Sequence, residues 1–97
     1  MGVGFLLIYH KKVLEEDIPK LSSVWKKKIK KAVEEKLLTQ PETYGKPLRR
    51  SLKGYRKLRV ADYRVVFRIE EKTVKVLAIL HRSEVYKQTA IRAQNGK

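Results

Sequence analysis

Residues 54–69 read GYRKLRVADYRVVFRI, two runs rich in strand formers that meet at Ala61-Asp62, where the aspartate supplies a turn signal. With Ala61 and Asp62 as the loop, Val60 faces Tyr63, Arg59 faces Arg64, Leu58 faces Val65 and Lys57 faces Val66. Alternation then puts Leu58, Val60, Tyr63, Val65, Phe67 and Ile69 on one face of the hairpin. Lys57, Arg59, Arg64, Val66 and Arg68 fall on the other. The first set is a core face, and the second is crowded with positive charge. Two arginines held directly opposite destabilise a hairpin by about 0.2–1 kcal/mol. An anionic ligand turns that repulsion into a clamp.

Working outward, Glu70–Thr73 (EEKT) supplies a second tight turn and Thr73–His81 (TVKVLAILH) a third strand. With Glu71 and Lys72 as its loop, strict alternation places Val74, Val76, Ala78 and Leu80 on the core face. Lys75, Leu77, Ile79 and His81 join the basic face, with His81 diagonal to Arg64. Upstream, Val3–Tyr9 (VGFLLIY) is a short apolar strand. Lys11–Leu21 reads as a short helix stopping near Pro19, after which Ser22 or Ser23 can cap a second helix. In that second helix Leu21, Trp25, Ile29, Val33 and Leu37 recur every four residues as an apolar stripe. Its remaining surface is Lys26, Lys27, Lys28, Lys30 and Lys31 with a few acids, which either tracks a nucleic-acid backbone or simply faces water. Thr39–Lys53 is an irregular connection, and Arg82–Lys97 is a short helix followed by a frayed tail over 92–97.

These elements predict one domain over residues 1–97 in the α+β class. An antiparallel sheet, made of the N-terminal strand plus the three-strand meander, carries two helices on its apolar face and a short C-terminal helix. Val66, Leu77 and Ile79 on the opposite face are either covered by the C-terminal segment or form a partner-binding patch.

Charge dominates the composition: 24 Lys+Arg against 10 Asp+Glu, a formal +14. That balance points to nucleic acid, an acidic protein partner or an anionic membrane surface, the last disfavoured because no helix pairs a basic face with apolar residues beyond core needs. With no cysteine and only two histidines, neither a disulfide framework nor a Cys- or His-based metal centre is expected. The apolar run at Phe5–Tyr9 is too short to span a bilayer and lacks the flanks of a signal peptide, so a cytoplasmic location is the default.

No carboxylate pair, Ser-His-Asp set or glycine-rich phosphate loop is recognisable. The available chemistry is cationic: Lys57, Arg59, Arg64, His81, Arg82 and Tyr86 collect on or beside the basic face, with Arg82 and Tyr86 spaced to share a helix face. Such a set suits binding a phosphodiester and cleaving RNA through its 2′-hydroxyl without metal or cofactor. That reaction needs a base, cations for the charge growing on phosphate, and an acid for the departing 5′-oxygen. Neighbouring positive charge disfavours an ammonium, which makes Lys57 the candidate base. Arg64 and Arg59 can hold the phosphate, Arg82 or His81 can protonate the leaving group, and Tyr86 can stack on a base. Arg56, Arg49 and Arg50 add positive charge near the hairpin for RNA or phosphate binding.

The stretch YRKLRVADYRVVF, followed after one strand by HRSEVY, resembles the RelE/ParE superfamily of toxins from type II toxin–antitoxin systems, nearest the RelE branch. The resemblance implies a RelE-like fold and an endoribonuclease that cuts mRNA in the ribosomal A site, with an acidic RelB-like antitoxin as its partner. It carries the base lysine onto Lys57, the phosphate-binding arginine onto Arg64, a second arginine onto Arg82 and the stacking tyrosine onto Tyr86. The alternative within the same superfamily is a ParE-like toxin that inhibits DNA gyrase without chemistry. A third possibility is a module that only binds RNA or antitoxin.

Overall fold

The computed structural model describes residues 5–49 and 52–95. Strand β1 (Leu6–Tyr9) leads into helix α1, which is π-helical over Val13–Asp17 and α-helical over Ile18–Lys20. Pro19 therefore lies inside the helix. The π turn, closed by Ile18 N–H donating to Val13 O, is wide enough for a proline ring that presses on the preceding turn of a regular α-helix. Leu21 is extended and ends α1. Ser22 then caps α2 (Ser23–Ala32), its Oγ accepting from Trp25 N–H at 3.3 Å. A second π-helical turn, Val33–Leu37, continues α2.

The connection that follows is partly ordered into a short helix, α3 (Pro41–Tyr44), and a two-residue strand, β2 (Lys46–Pro47). The meander is β3 (Arg56–Val60), β4 (Tyr63–Glu70) and β5 (Thr73–His81), and α4 spans Val85–Asn95. The five strands are ordered β1-β5-β4-β3-β2. The α+β class stands, but the sheet is mixed where a wholly antiparallel one was predicted. Strand β1 runs parallel to β5, Leu6 beside Thr73 and Tyr9 beside Val76. Apolarity marks β1 as a strand; its direction is set by the α1–α2 excursion, which returns the chain to the far edge of the sheet.

The hairpin register is the predicted one: Val60 opposite Tyr63, Arg59 opposite Arg64, Leu58 opposite Val65 and Lys57 opposite Val66. Both meander turns begin with a left-handed residue, Ala61 at φ 54° and Glu71 at φ 56°. On one face α1 and α2 bury Val13, Ile29, Val33 and Leu37 against Leu58, Val65, Phe67 and Val76. Each fully buried aliphatic contributes about 1.5–3 kcal/mol. Trp25 belongs to this layer, its ring centroid 5.0 Å from that of Tyr63.

Strict alternation fails in β5. Val66 pairs with Ala78 while Phe67 pairs with Val76, so Leu77 is the extra residue of a β-bulge. Beyond it the two faces exchange. Ile79 points to the α1–α2 core, whereas Ala78 and Leu80 join Val66 and Leu77 under Val85 of α4. The predicted places of Ala78, Ile79, Leu80 and His81 are thereby reversed, and α4 covers the apolar patch.

Helix α4 also runs on to Asn95, into the 92–97 segment predicted to fray, of which residues 96–97 lie outside the described residues. Arg92 is only 7% exposed and grips the buried Asp17 of α1 through two hydrogen bonds, Nη1 to Oδ2 at 2.7 Å and Nη2 to Oδ1 at 2.8 Å. The pair also serves the backbone of β5 beyond the end of β1. Asp17 Oδ2 accepts from Ile79 N–H at 2.9 Å, and Arg92 Nη1 donates to Leu77 O at 3.1 Å. Removing one member of such a buried pair costs about 3–5 kcal/mol.

Candidate functional site

Because β3 and β4 alternate without interruption, Lys57 and Arg59 point to the same side as Arg64, the face partly covered by α4. The strand exit brings the helix to them. Arg82 N–H donates to Asp62 O at 2.8 Å, which ties the end of β5 to the hairpin tip, and Glu84 N–H donates to His81 O at 2.9 Å just before α4 begins. Tyr86, in the first turn of α4, then lies over β3. The Lys57 ammonium donates to the Tyr86 hydroxyl at 2.5 Å, with Nζ 5.2 Å from the ring centroid. Twenty-nine residues apart in sequence, these two side chains form the centre of the site.

Arg64 folds along the turn, its Nη1 donating to Ala61 O at 2.8 Å and Tyr63 O at 2.9 Å. Those bonds fix the guanidinium and leave its Nε and Nη2 donors without a protein partner among the described residues. Arg59 is exposed opposite it. Farther along the same face Glu70 is hydrogen-bonded to Lys75 and paired with Arg68. Lys75, joined by the field of Arg68, holds the Glu70 carboxyl below its usual range against a smaller opposing effect of desolvation. Glu70 thus offsets one of the two cations at the far end of the face, whereas Lys57, Arg59 and Arg64 have no carboxylate paired with them among the described residues.

Arg82 stands at the hairpin tip, and the remaining described candidates lie away from Lys57. Arg82 sits in the turn before α4, its Nε 3.8 Å from Asp62 Oδ1, so it does not share a helix face with Tyr86. Asp62, whose only expected role was in the turn, therefore positions Arg82 through both its carbonyl and its carboxylate. Because of the Leu77 bulge, His81 lies opposite Tyr63 on the α1–α2 side, ring centroids 5.8 Å apart, and not beside Arg64. Its Nδ1 accepts from Ser83 N–H at 3.2 Å. Arg56 also faces away from Lys57: its Nη1 donates to Gly45 O at 3.0 Å and joins α3 to the sheet. Arg49 is exposed before β3, and Arg50 lies outside the described residues.

A groove of about 580 Å³ at the opposite end of this face, lined by Tyr55, Arg68, Lys75 and Ala93, contains none of the site residues. Among the described residues no cluster of His, Asp or Glu could hold a metal ion, and no helix is long and apolar enough to cross a membrane.

Two helices on one face of a meander sheet, with a cationic site under a C-terminal helix on the other, define a toxin of the RelE/ParE superfamily. The fold superposes on a chain of the RelBE2 toxin–antitoxin complex of Mycobacterium tuberculosis with a TM-score of 0.76 at 29% identity, covering 82% of this chain and 100% of that one. A mutant of the Escherichia coli toxin RelE in the free state gives 0.70 at 28% identity, over 93% and 98% of the two chains. In sequence, 58 residues are 40% identical to Toxin RelE of Mycobacterium tuberculosis, 58% of this chain and 60% of that relative. The match thus spans about three fifths of the curated relative's length. Residues 5–86 match the ParE toxin of type II toxin–antitoxin systems, and the chain belongs to that family.

Proposed function

We propose that this chain is an endoribonuclease toxin that cleaves mRNA by attack of the 2′-hydroxyl on the adjoining phosphodiester, acting on message held in the ribosomal A site. The observation that carries the reading is the contact of Lys57 Nζ with Tyr86, 2.5 Å from the hydroxyl, on the face that holds the opposed Arg59 and Arg64. A base stacked on the Tyr86 ring leaves its ribose beside the Lys57 amine.

In its neutral form that amine takes the 2′-hydroxyl proton as O2′ bonds to phosphorus. Arg64, with Nε and Nη2 turned to the ligand, and Arg59 stabilise the charge growing on the phosphoryl oxygens. The P–O5′ bond breaks, giving a 2′,3′-cyclic phosphate and a 5′-hydroxyl. Arg82 hydrogen-bonds the departing 5′-oxygen. Since a guanidinium stays protonated in proteins, water supplies the proton. His81, on the other side of the sheet, has no part in this scheme. Lys, Arg and Tyr side chains, with water as the acid for the leaving group, account for every step of this scheme.

The working location is the cytoplasm, where translated mRNA is found. The inhibiting partner is an acidic, RelB-like antitoxin that wraps the +14 chain and neutralises the cationic face.

Primer extension on an mRNA in a translating extract tests the reading. Discrete breaks within translated regions are expected, lost with Arg64→Ala and strongly reduced with Tyr86→Phe. Intact message from the wild-type chain would sink it. A gyrase supercoiling assay would then test the same face as a ParE-like docking surface.

A further inference from the structure

Helix α4 carries Tyr86 into the site, yet the residues packed beneath it do little to fix where it stops. Apart from Arg92 its buried side chains are Val85 and Thr89, with half-buried Ala93 beside them, small groups over an aliphatic patch. Thr89 Oγ1 is buried there without a hydrogen-bond partner. Such a face holds a helix down but tolerates sliding and rotation.

The directional contact is two turns away from Tyr86, where the Arg92 guanidinium meets the Asp17 carboxylate in a buried fork. That pair passes around the edge of β5 just beyond the end of β1 and ties α4 on one side of the sheet to α1 on the other. It is locked to the sheet through Leu77 O, at the bulge itself, and Ile79 N–H, two residues beyond it. Outside it Glu16 lies 4.0 Å from Arg92 and is itself held by Lys12 at 2.9 Å. Hydrogen bonds of fixed length and direction at one end of a rigid helix define the rotation and axial position of the whole helix.

We infer that Asp17 and Arg92 are positioning residues: their buried fork sets the register of α4 over the sheet and thereby places the Tyr86 hydroxyl on Lys57. The catalytic part of this inference rests on the function proposed above, whereas the structural part does not. An α4 shifted by about 1 Å displaces Tyr86 from Lys57, and misplacement on that scale costs on the order of 10²-fold in rate.

The test uses the full chain as wild type, Asp17→Asn and Arg92→Lys. A Val13→Ala control truncates a fully buried side chain of α1 outside the pair. Asp17→Asn keeps an acceptor for Ile79 N–H and removes the charged fork, while Arg92→Lys keeps the charge and removes the bidentate geometry. Hydrogen exchange is read in α4 and β4, and the Tyr86 ring is followed by selective labelling, with Lys57→Met marking the signal of a broken contact.

Both pair variants are expected to exchange α4 amides about tenfold faster relative to β4 than the Val13→Ala control does. Their Tyr86 signal moves toward that of Lys57→Met. On programmed ribosomes the cleavage rate at saturation falls on the order of 10²-fold, with a much smaller change in the concentration needed for half-saturation. Exchange in α4 that follows global stability as in Val13→Ala, or an unmoved Tyr86 signal, overturns the inference. Should the wild type leave RNA intact, the exchange and ring signals alone decide the role of the pair.

Discussion

Replacing Gly45 by alanine tests whether the packing beneath the site is as tight as the structure has it. Gly45 follows α3 at φ −91° and ψ 124°, a conformation any residue adopts. Judged on backbone alone, the substitution stabilises by about 0.4–1 kcal/mol, because alanine has less freedom to lose on folding. The surroundings reverse the sign. A Cβ at this position overlaps Phe67 Cζ and comes within 2.9 Å of Phe67 Cε1 and 3.0 Å of Pro41 O. Phe67 is fully buried under α1 and α2, and the other obstacle is backbone, so neither yields easily. Overpacking of this kind costs about 1–3 kcal/mol, and with the middle of each range the net loss is about 1–2 kcal/mol. For a chain of 97 residues that corresponds to a melting temperature lower by about 4–15 °C. Urea and thermal unfolding followed by circular dichroism measure it. Phe67→Leu, which opens the space, is expected to make the double variant less unstable than the sum of the single effects. Gly45→Ala with wild-type or higher stability, or strictly additive losses, would refute the reasoning. Arg56 donates to Gly45 O, so the same displacement reaches the residue next to Lys57.

Ala61→Gly relieves a left-handed residue at φ 54° and is expected to stabilise the chain by up to about 1 kcal/mol in urea unfolding; an unchanged or lower midpoint contradicts this. Tyr9 has its hydroxyl pushed above the ordinary tyrosine value of 10.0, first by burial and then by the charge of Glu34. The folded state holds that proton more tightly than the unfolded chain. Its contribution is complete below pH 10 and is lost as pH rises through the folded value. Tyr9→Phe is therefore expected to flatten the alkaline loss of stability, and identical slopes above pH 10 would count against it.

The hairpin was legible because two short runs of period two joined by a two-residue turn admit one register that buries Leu58, Val65 and Phe67 together. Reading that register also exposed the Arg59–Arg64 opposition and Lys57 beside it. The α2 stripe was equally plain in its four-residue spacing. The bulge was not: Leu77 is one apolar residue in the run VLAIL, where neither face is marked by polar alternation, so nothing in the pattern shows where the period slips. His81 was misplaced for that reason alone. The Asp17–Arg92 pair was missed because charged residues are so common in this chain. A signal existed in spacing, since Asp17 lies four residues after the buried Val13, and Arg92 seven after the buried Val85. A charge on the apolar side of each of two helices is a reason to look for its partner. The parallel pairing of β1 with β5 has no local mark, because β1 offers only four residues and its partner is chosen by the path of the helices.

In the proposed reaction the Lys57–Tyr86 site activates a ribose 2′-hydroxyl. Replacing the nucleotide at a mapped break by its 2′-deoxy analogue, in an otherwise unchanged message on programmed ribosomes, tests it most directly. Cleavage at that position is expected to disappear while breaks elsewhere persist, and the unmodified message is expected to yield 2′,3′-cyclic phosphate and 5′-hydroxyl ends. Undiminished cleavage of the deoxy-substituted message, or 5′-phosphate ends from attack by water, would contradict it.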